Sequence, residues 1–132
     1  MNGDMRAVSL FSGAGGMDVG FQQAGVKVVW ANEIDKDATD TYLYNNPETA
    51  LYVGDIKDAI PHTKSLAGSV DIVFGGPPCQ GVSVAGKMDP EDERSKLIWD
   101  FLQVVDTVKP RFFVMENVKA LATLQRWASV RK

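Results

Sequence analysis

The sequence is short of four things, and each shortage closes off a class of protein. It has a single cysteine, Cys79, so no disulfide forms within the chain and a reducing compartment is its natural home. It has a single histidine, His62, which with one thiol leaves no Cys/His cluster for zinc, so no metal is expected. No apolar run approaches the roughly 18 residues that span a bilayer, and Met1 to Leu10 holds no apolar core of signal-peptide length. Nor is there an excess of positive charge. Against 14 Lys and Arg stand 17 Asp and Glu, a net charge of -3. A domain gripping nucleic acid mainly by its phosphates would be basic, so any such grip has to come from a local patch or from elsewhere.

What is present suits one modest globular domain. The chain has 132 residues, 45% hydrophobic and 23% charged. Apolar runs alternate with helical patterns. Arg6 to Phe11, Lys27 to Ala31, Ala50 to Val53, Val70 to Phe74 and Arg111 to Met115 read as strands. Gly16 to Ala24 reads as a helix closed by Gly25, and Asp35 as the cap of a helix running through Tyr44. Asp89 and Pro90 open the clearest helix, whose Leu97, Ile98, Phe101, Leu102, Val105 and Val108 share one face before Lys109 and Pro110 end it. A last helix is expected from about Lys119, carrying Leu121, Leu124 and Ala128. Buried strands alternating with helices imply an α/β, Rossmann-like doubly wound fold with a mostly parallel sheet of about five strands. In such folds ligands sit beyond the carboxyl ends of the strands, and the unusual residues of this chain all follow strand ends.

After the first strand comes Phe11-Ser12-Gly13-Ala14-Gly15-Gly16, where glycines let the backbone turn sharply and approach a ligand. Alone this is a weak signal, since a tight strand-to-helix turn looks the same. After the second strand comes Asn32-Glu33-Ile34-Asp35. An acidic residue roughly 20 positions beyond the first glycine is placed to bind ribose hydroxyls, and Glu33 stands at that distance from Gly13. Asp35 competes for the role but is better explained as a helix cap. After the third strand, Gly54-Asp55-Ile56 offers a carboxylate for an adenine amino group and an apolar side chain for the ring, or simply a turn Asp and a core Ile. Gly75-Gly76-Pro77-Pro78-Cys79-Gln80-Gly81 follows the fourth strand. Two prolines stiffen the backbone and hold a lone cysteine at the mouth of the crevice, which marks a candidate nucleophile. The rival reading, a buried structural thiol, fits apolar strands and helices better than a Pro-Pro loop. After the fifth strand, Glu116 ends an apolar run; loss of water there favours the protonated carboxyl and an acid role. Asn117 beside it also reads as a helix cap.

In order and across nearly the whole chain, these segments resemble the DNA cytosine methyltransferases that act on ring carbon 5. The resemblance rests on Phe11 to Gly16 with Gly20-Phe21, on Pro78-Cys79-Gln80 with Ser83 and Gly86, on Asp92-Glu93-Arg94 to Leu97, and on Glu116-Asn117-Val118. It implies an S-adenosylmethionine-dependent methyltransferase fold, with 1–132 as one catalytic, cofactor-binding domain. It implies S-adenosylmethionine held by Phe11, Ser12, Gly13, Ala14, Gly15 and Gly16, by Glu33 and Ile34, by Asp55 and Ile56, and by Pro77, Pro78 and Leu97. Double-stranded DNA would be the partner, with the target cytosine flipped out of the stack and Gln80, Ser83, Asn117 and Val118 near it. Cys79 would attack carbon 6, and protonated Glu116 would bond ring nitrogen 3. Addition of the thiolate turns an electron-poor ring into an enamine whose carbon 5 accepts the methyl group, and a thiol needs only a small pKa drop to supply thiolate. The stretch Gln80 to Lys87, with Gly81 and Gly86, resembles a loop that closes on DNA. A cytoplasmic location follows, nucleoid-associated in a bacterium, with a role in restriction-modification or DNA marking.

The family pattern continues well past Lys132, with an Arg-rich segment, a target-recognition domain and more sheet, so the sheet is expected to be incomplete at one edge. The alternatives to a complete enzyme are a truncated fragment, a split-enzyme subunit completed by a second polypeptide, and a non-catalytic binding subunit. A nicotinamide-dependent dehydrogenase explains neither Cys79 nor Glu116 and lacks the usual glycine spacing, and a related RNA methyltransferase stays open. The chain alone is expected to be weak or inactive; robust methylation of a duplex by the purified 132-residue chain would overturn that expectation.

Overall fold

The computed structural model describes residues 5–78 and 96–116. Five strands form one parallel sheet: β1 (Met5–Leu10), β2 (Val26–Glu33), β3 (Ala50–Val53), β4 (Ile72–Gly75) and β5 (Phe112–Met115), in the spatial order β3-β2-β1-β4-β5. The chain therefore winds outward from β1 in one direction, then returns to start again on its other side. The expected α/β doubly wound architecture is the one found.

β1 is central because its residues are apolar on both faces. Ala7 joins Val26, Val28, Ile72 and Phe74 in a cluster covered by α1 (Gly16–Gln23), whose Phe21 stacks on Phe74 at 4.1 Å between ring centres. Val8 and Leu10 join Trp30 and Val73 on the other face, beneath Phe101, Val104 and Val108 of α4 (Lys96–Val108). The pairing of β1 with β2 slips once: Ala7 lies opposite Val28, but Val8 lies opposite Trp30. Val29 is thus an extra residue, a β-bulge. Beyond it Asn32 pairs with Leu10, so Asn32 points to the α4 side of the sheet.

The structure moves several expected boundaries. Strand one stops at Leu10 rather than Phe11, because Phe11 takes φ 54, a left-handed conformation that ends a strand. β2 extends in both directions to Val26 and Glu33, β4 runs Ile72–Gly75 rather than Val70 to Phe74, and β5 begins at Phe112. α1 ends at Gln23, one residue early. Asp35 caps α2 (Lys36–Asn45) as expected, accepting hydrogen bonds from the Asp37 and Ala38 amides. The buried stripe of α4 centres on Ile98, Phe101, Val104 and Val108; Leu97, Leu102 and Val105 are only partly buried, and Val104 was missing from the expected face. α3 (Ile56–Ala59) and the 3-10 turn Ile60–Leu66 were not anticipated. They are too short for helical periodicity, and Pro61 interrupts the pattern. The proposed cap at Asp89 with Pro90, the Asp92-Glu93-Arg94 stretch and the last helix from Lys119 lie outside the described residues.

Close approach of β1 and β4 demands a glycine. A Cβ built on Gly75 would overlap the Leu10 carbonyl oxygen. Gly75→Ala is therefore expected to destabilise the fold by about 1–3 kcal/mol, read as a lower urea midpoint with an unchanged slope; an unaltered midpoint would refute the constraint.

Candidate active site at the sheet rim

All five strands are parallel, so all their carboxyl ends reach one rim. Two cavities lie there. The first, about 310 Å³, is walled by Phe11 after β1, by Asn32, Glu33 and Ile34 at the end of β2, and by Gly54, Asp55 and Ile56 after β3; Gly76, Pro78 and Leu97 close it. The second, about 190 Å³, lies between the ends of β1 and β4, with Ser12, Met17 and Glu116 in its wall. Phe11 and Gly76 line both. They sit at the point where strand order reverses, the usual ligand crevice of doubly wound sheets.

The first cavity has two carboxylates on an otherwise largely apolar wall. Glu33 accepts the Gly13 amide at 2.7 Å through Oε1 and the Ile34 and Asp35 amides at 2.9 Å each through Oε2. It therefore ties the glycine turn to the end of β2. Asp35 caps α2 and does not line the cavity, whereas Glu33 does. Asp55 caps α3, with Oδ1 accepting the Lys57 amide at 2.8 Å. Ile56 is both core and wall: it is buried at 3% exposure and lines the cavity. Ile34, by contrast, is 64% exposed at the rim.

Glu116 hydrogen-bonds through its amide to the Gly75 carbonyl at 3.0 Å, and its Oε2 lies 3.2 Å from where a Cβ on Gly76 would stand. Its side chain therefore leans over the bare backbone of Gly76. Glu116 is exposed; the loss of water expected from its apolar strand does not occur among the described residues, because the residues before it, Phe112 to Val114, are themselves 40–46% exposed.

Not every expected residue reaches a cavity. Ser12 lines the second cavity, but Gly13, Ala14, Gly15, Gly16 and Pro77 line neither. Gly15 is needed for another reason: with φ 101, its missing side chain would meet the Tyr42 ring at 3.1 Å. Cys79, Gln80, Ser83, Asn117 and Val118, with the loop Gln80 to Lys87, lie outside the described residues. Among the described residues no group of His, Cys, Asp and Glu could hold a metal, and no helix is long and apolar enough to cross a membrane.

Two features escaped sequence reasoning. Asn32 lines the first cavity and is buried, and its amide nitrogen donates to the carbonyls of Tyr52 and Gly54. Behind the glycine turn, Asp18 is fully buried and accepts the Ser9 hydroxyl at 2.8 Å and the Tyr42 hydroxyl at 2.5 Å. The clue was an acid on the same helix as the core-packing Met17 and Phe21. Burial raises the Asp18 pKa, against the opposing pull of its two hydroxyl donors, and burial likewise raises that of Tyr42, which stays a donor.

A family model for the C-5 cytosine-specific DNA methylases matches residues 5–130. Among curated relatives, the Type II methyltransferase M.AquIA of Picosynechococcus is 44% identical over 124 residues, 89% of this chain and 50% of that protein. M.DdeI of Desulfomicrobium norvegicum is 40% identical over 122 residues, 92% of this chain and 29% of its own. The chain thus spans half or less of these relatives. A crystal structure of a DNA modification methyltransferase encoded within an E. coli prophage superposes with a TM-score of 0.75 at 31% identity, covering 96% of this chain and 35% of that one.

A carboxylate whose folded pKa is raised binds its proton more tightly folded than unfolded. Asp18 therefore costs stability as pH rises from its unfolded value near 4 through its raised folded value, and nothing further above that. Asp18→Asn should remove that slope. In urea titrations from pH 3 to 7, the variant's stability relative to the parent should rise with pH and then level off; a constant gap would refute the assignment.

Proposed function

The chain belongs to the C-5 cytosine-specific DNA methylase family, and from that premise we propose that it forms the cofactor-binding and catalytic portion of an enzyme that methylates carbon 5 of cytosine in DNA. The observation that carries this reading is the pair of cavities joined at Phe11 and Gly76, one holding Glu33 and Asp55, the other bordered by Glu116. The first has the volume and chemistry for an adenosyl group: apolar walls for the base and a carboxylate for each polar edge.

S-adenosylmethionine, when bound, supplies an electrophilic methyl group on a sulfonium. Glu33, already tied to the glycine turn, accepts from the ribose hydroxyls. Asp55 has one oxygen committed to the Lys57 amide, which leaves the other for the adenine amino group. Ile56 and Leu97 offer apolar contact to the ring. The second cavity opens toward the cytosine. There Glu116, protonated, donates to ring nitrogen 3 and stabilises the charge pushed into the ring. Cys79, next in sequence to the cavity residue Pro78, would add to carbon 6; once carbon 5 has taken the methyl group, its proton would pass to water and the thiolate leave as the ring double bond re-forms. Gln80, Ser83, Asn117 and Val118 stand beside these two residues in sequence and are assigned to the flipped base and its strand.

Target recognition belongs to further polypeptide, in the same chain or in a second one. Phe112, Phe113 and Val114 on the edge strand β5 are exposed apolar surface that such a segment would cover, and the net charge of -3 leaves the phosphate grip to it. Type II relatives support a role in restriction-modification.

Calorimetry on the chain is expected to show binding of S-adenosylmethionine and none of NAD. Asp55→Ala should weaken binding about 10-fold or more, the worth of one charge-assisted hydrogen bond, and Cys79→Ser should leave it intact. In the complete enzyme Cys79→Ser should abolish both methyl transfer and the covalent adduct with a 5-fluorocytosine duplex; turnover by that variant would contradict the mechanism.

A further inference from the structure

We infer that Asn32 is the positioning residue that gives the first cavity its selectivity for a 6-amino purine, by holding the Gly54–Asp55 turn in place. The inference rests on the cofactor reading above and deepens it.

Asn32 is 2% exposed, and its side chain spans two elements. Its Nδ2 donates to the Tyr52 carbonyl at 2.8 Å and to the Gly54 carbonyl at 2.9 Å. One planar amide group thus grips two carbonyls on either side of Val53. The backbone carbonyl of Asn32 accepts the Ser12 amide at 3.2 Å. One residue therefore fixes the near wall of the cavity, at the glycine turn, and the far wall, at the end of β3.

The far wall needs this help. β3 is an edge strand of four residues, and Gly54 takes φ 150, which only glycine adopts readily. α3 is a single turn and cannot hold its own start. Backbone pairing supplies one tie across this gap, the Gly54 amide to the Glu33 carbonyl at 3.0 Å. The Asn32 amide supplies two more, directly before Asp55. The orientation of the 54–55 peptide decides where the Asp55 carboxylate points, and hence whether it meets an amino group on a purine seated against Ile56. Asn32 acts through Asp55 and need not touch the ligand.

Three proteins test this: the parent chain, Asn32→Ala and Asn32→Leu. Leucine fills the space of asparagine without its donors, so it separates lost hydrogen bonds from lost packing. The probes are S-adenosylhomocysteine and its inosine counterpart, which carries an oxo group in place of the 6-amino group. The parent should prefer the adenosine form by about 10- to 100-fold, the range of one hydrogen bond to a charged group. Both variants should narrow that preference to about 3-fold or less, chiefly by losing affinity for the adenosine form. Combining Asn32→Leu with Asp55→Asn should give no further loss beyond the worse single change. Asn32→Leu retaining the parent's preference would overturn the inference.

A second measurement needs no ligand. Amide hydrogen exchange at Gly54 and Lys57, bonded to the Glu33 carbonyl and the Asp55 carboxylate, should speed about 10-fold or more in both variants, while Val8 and Val73 in the central strands keep their protection. Unchanged exchange at those two amides would also overturn it. Failure of the parent to bind either probe would instead sink the cofactor reading, and the exchange experiment would still judge whether Asn32 holds the turn.

Discussion

β1 has no free side. Its two edges are paired in parallel with β2 and β4, and its two faces are covered by α1 and α4. Against β4 the approach is so close that Gly75 has no room for even a methyl group beside Leu10. With every lateral surface used, the one direction left open is forward, past the carboxyl ends. There the chain leaves β1 toward β2 on one side and leaves β4 toward β5 on the other, so the loops diverge and a crevice opens between them. Both cavities are products of that divergence, and Phe11 and Gly76, the first residues past β1 and β4, are the walls they share.

Rim loops have backbone N–H groups with no strand or helix partner, and such groups are costly to leave unpaired. This chain satisfies them with carboxylates that face the crevice. Glu33 takes three amides and Asp55 takes one. The same charges that order the loops are thus aimed where polar edges of a ligand would arrive. Behind them the support is buried: hydroxyls of Ser9 and Tyr42 on Asp18, and the ring of Tyr42 against Gly15. Burial drives the supporting Asp18 toward its protonated form.

Much of this could be read from residue order. Strand ends announced themselves, because apolar runs stopped at glycine or at an acid, and the acids Glu33, Asp55 and Glu116 were identifiable by their place after those runs. Asp35 could be told from Glu33 because a cap has a fixed position relative to its helix. What stayed hidden depends on distance across the chain. Asn32 looks like a neutral residue at the end of a strand until β3 is laid beside β2. Asp18 looks like a solvated helix residue until Tyr42 is brought over it. The Val29 bulge leaves no mark in composition, and α3 with its 3-10 extension is too short for any period to show. The exposure of Glu116 was misjudged for a related reason: an apolar strand was assumed to be a buried one, and β5 lies at the edge of the sheet.

The bulge at Val29 has a bearing on how β2 tolerates change. A strand alternates its side chains between two faces, so one inserted residue reverses the parity of everything after it. In β2 the half before Val29 answers to the α1 face through Val26 and Val28, and the half after it answers to the α4 face through Trp30 and Asn32. The two halves are therefore separate alphabets written on one strand. Straightening the strand with Val29 retained would leave composition untouched, yet it would swing Trp30 out of its cluster and turn Asn32 away from the carbonyls it grips, whereas deleting Val29 would leave both residues opposite Val8 and Leu10. The cavity wall thus depends on where the strand absorbs its extra residue, which no inspection of side-chain chemistry alone would reveal.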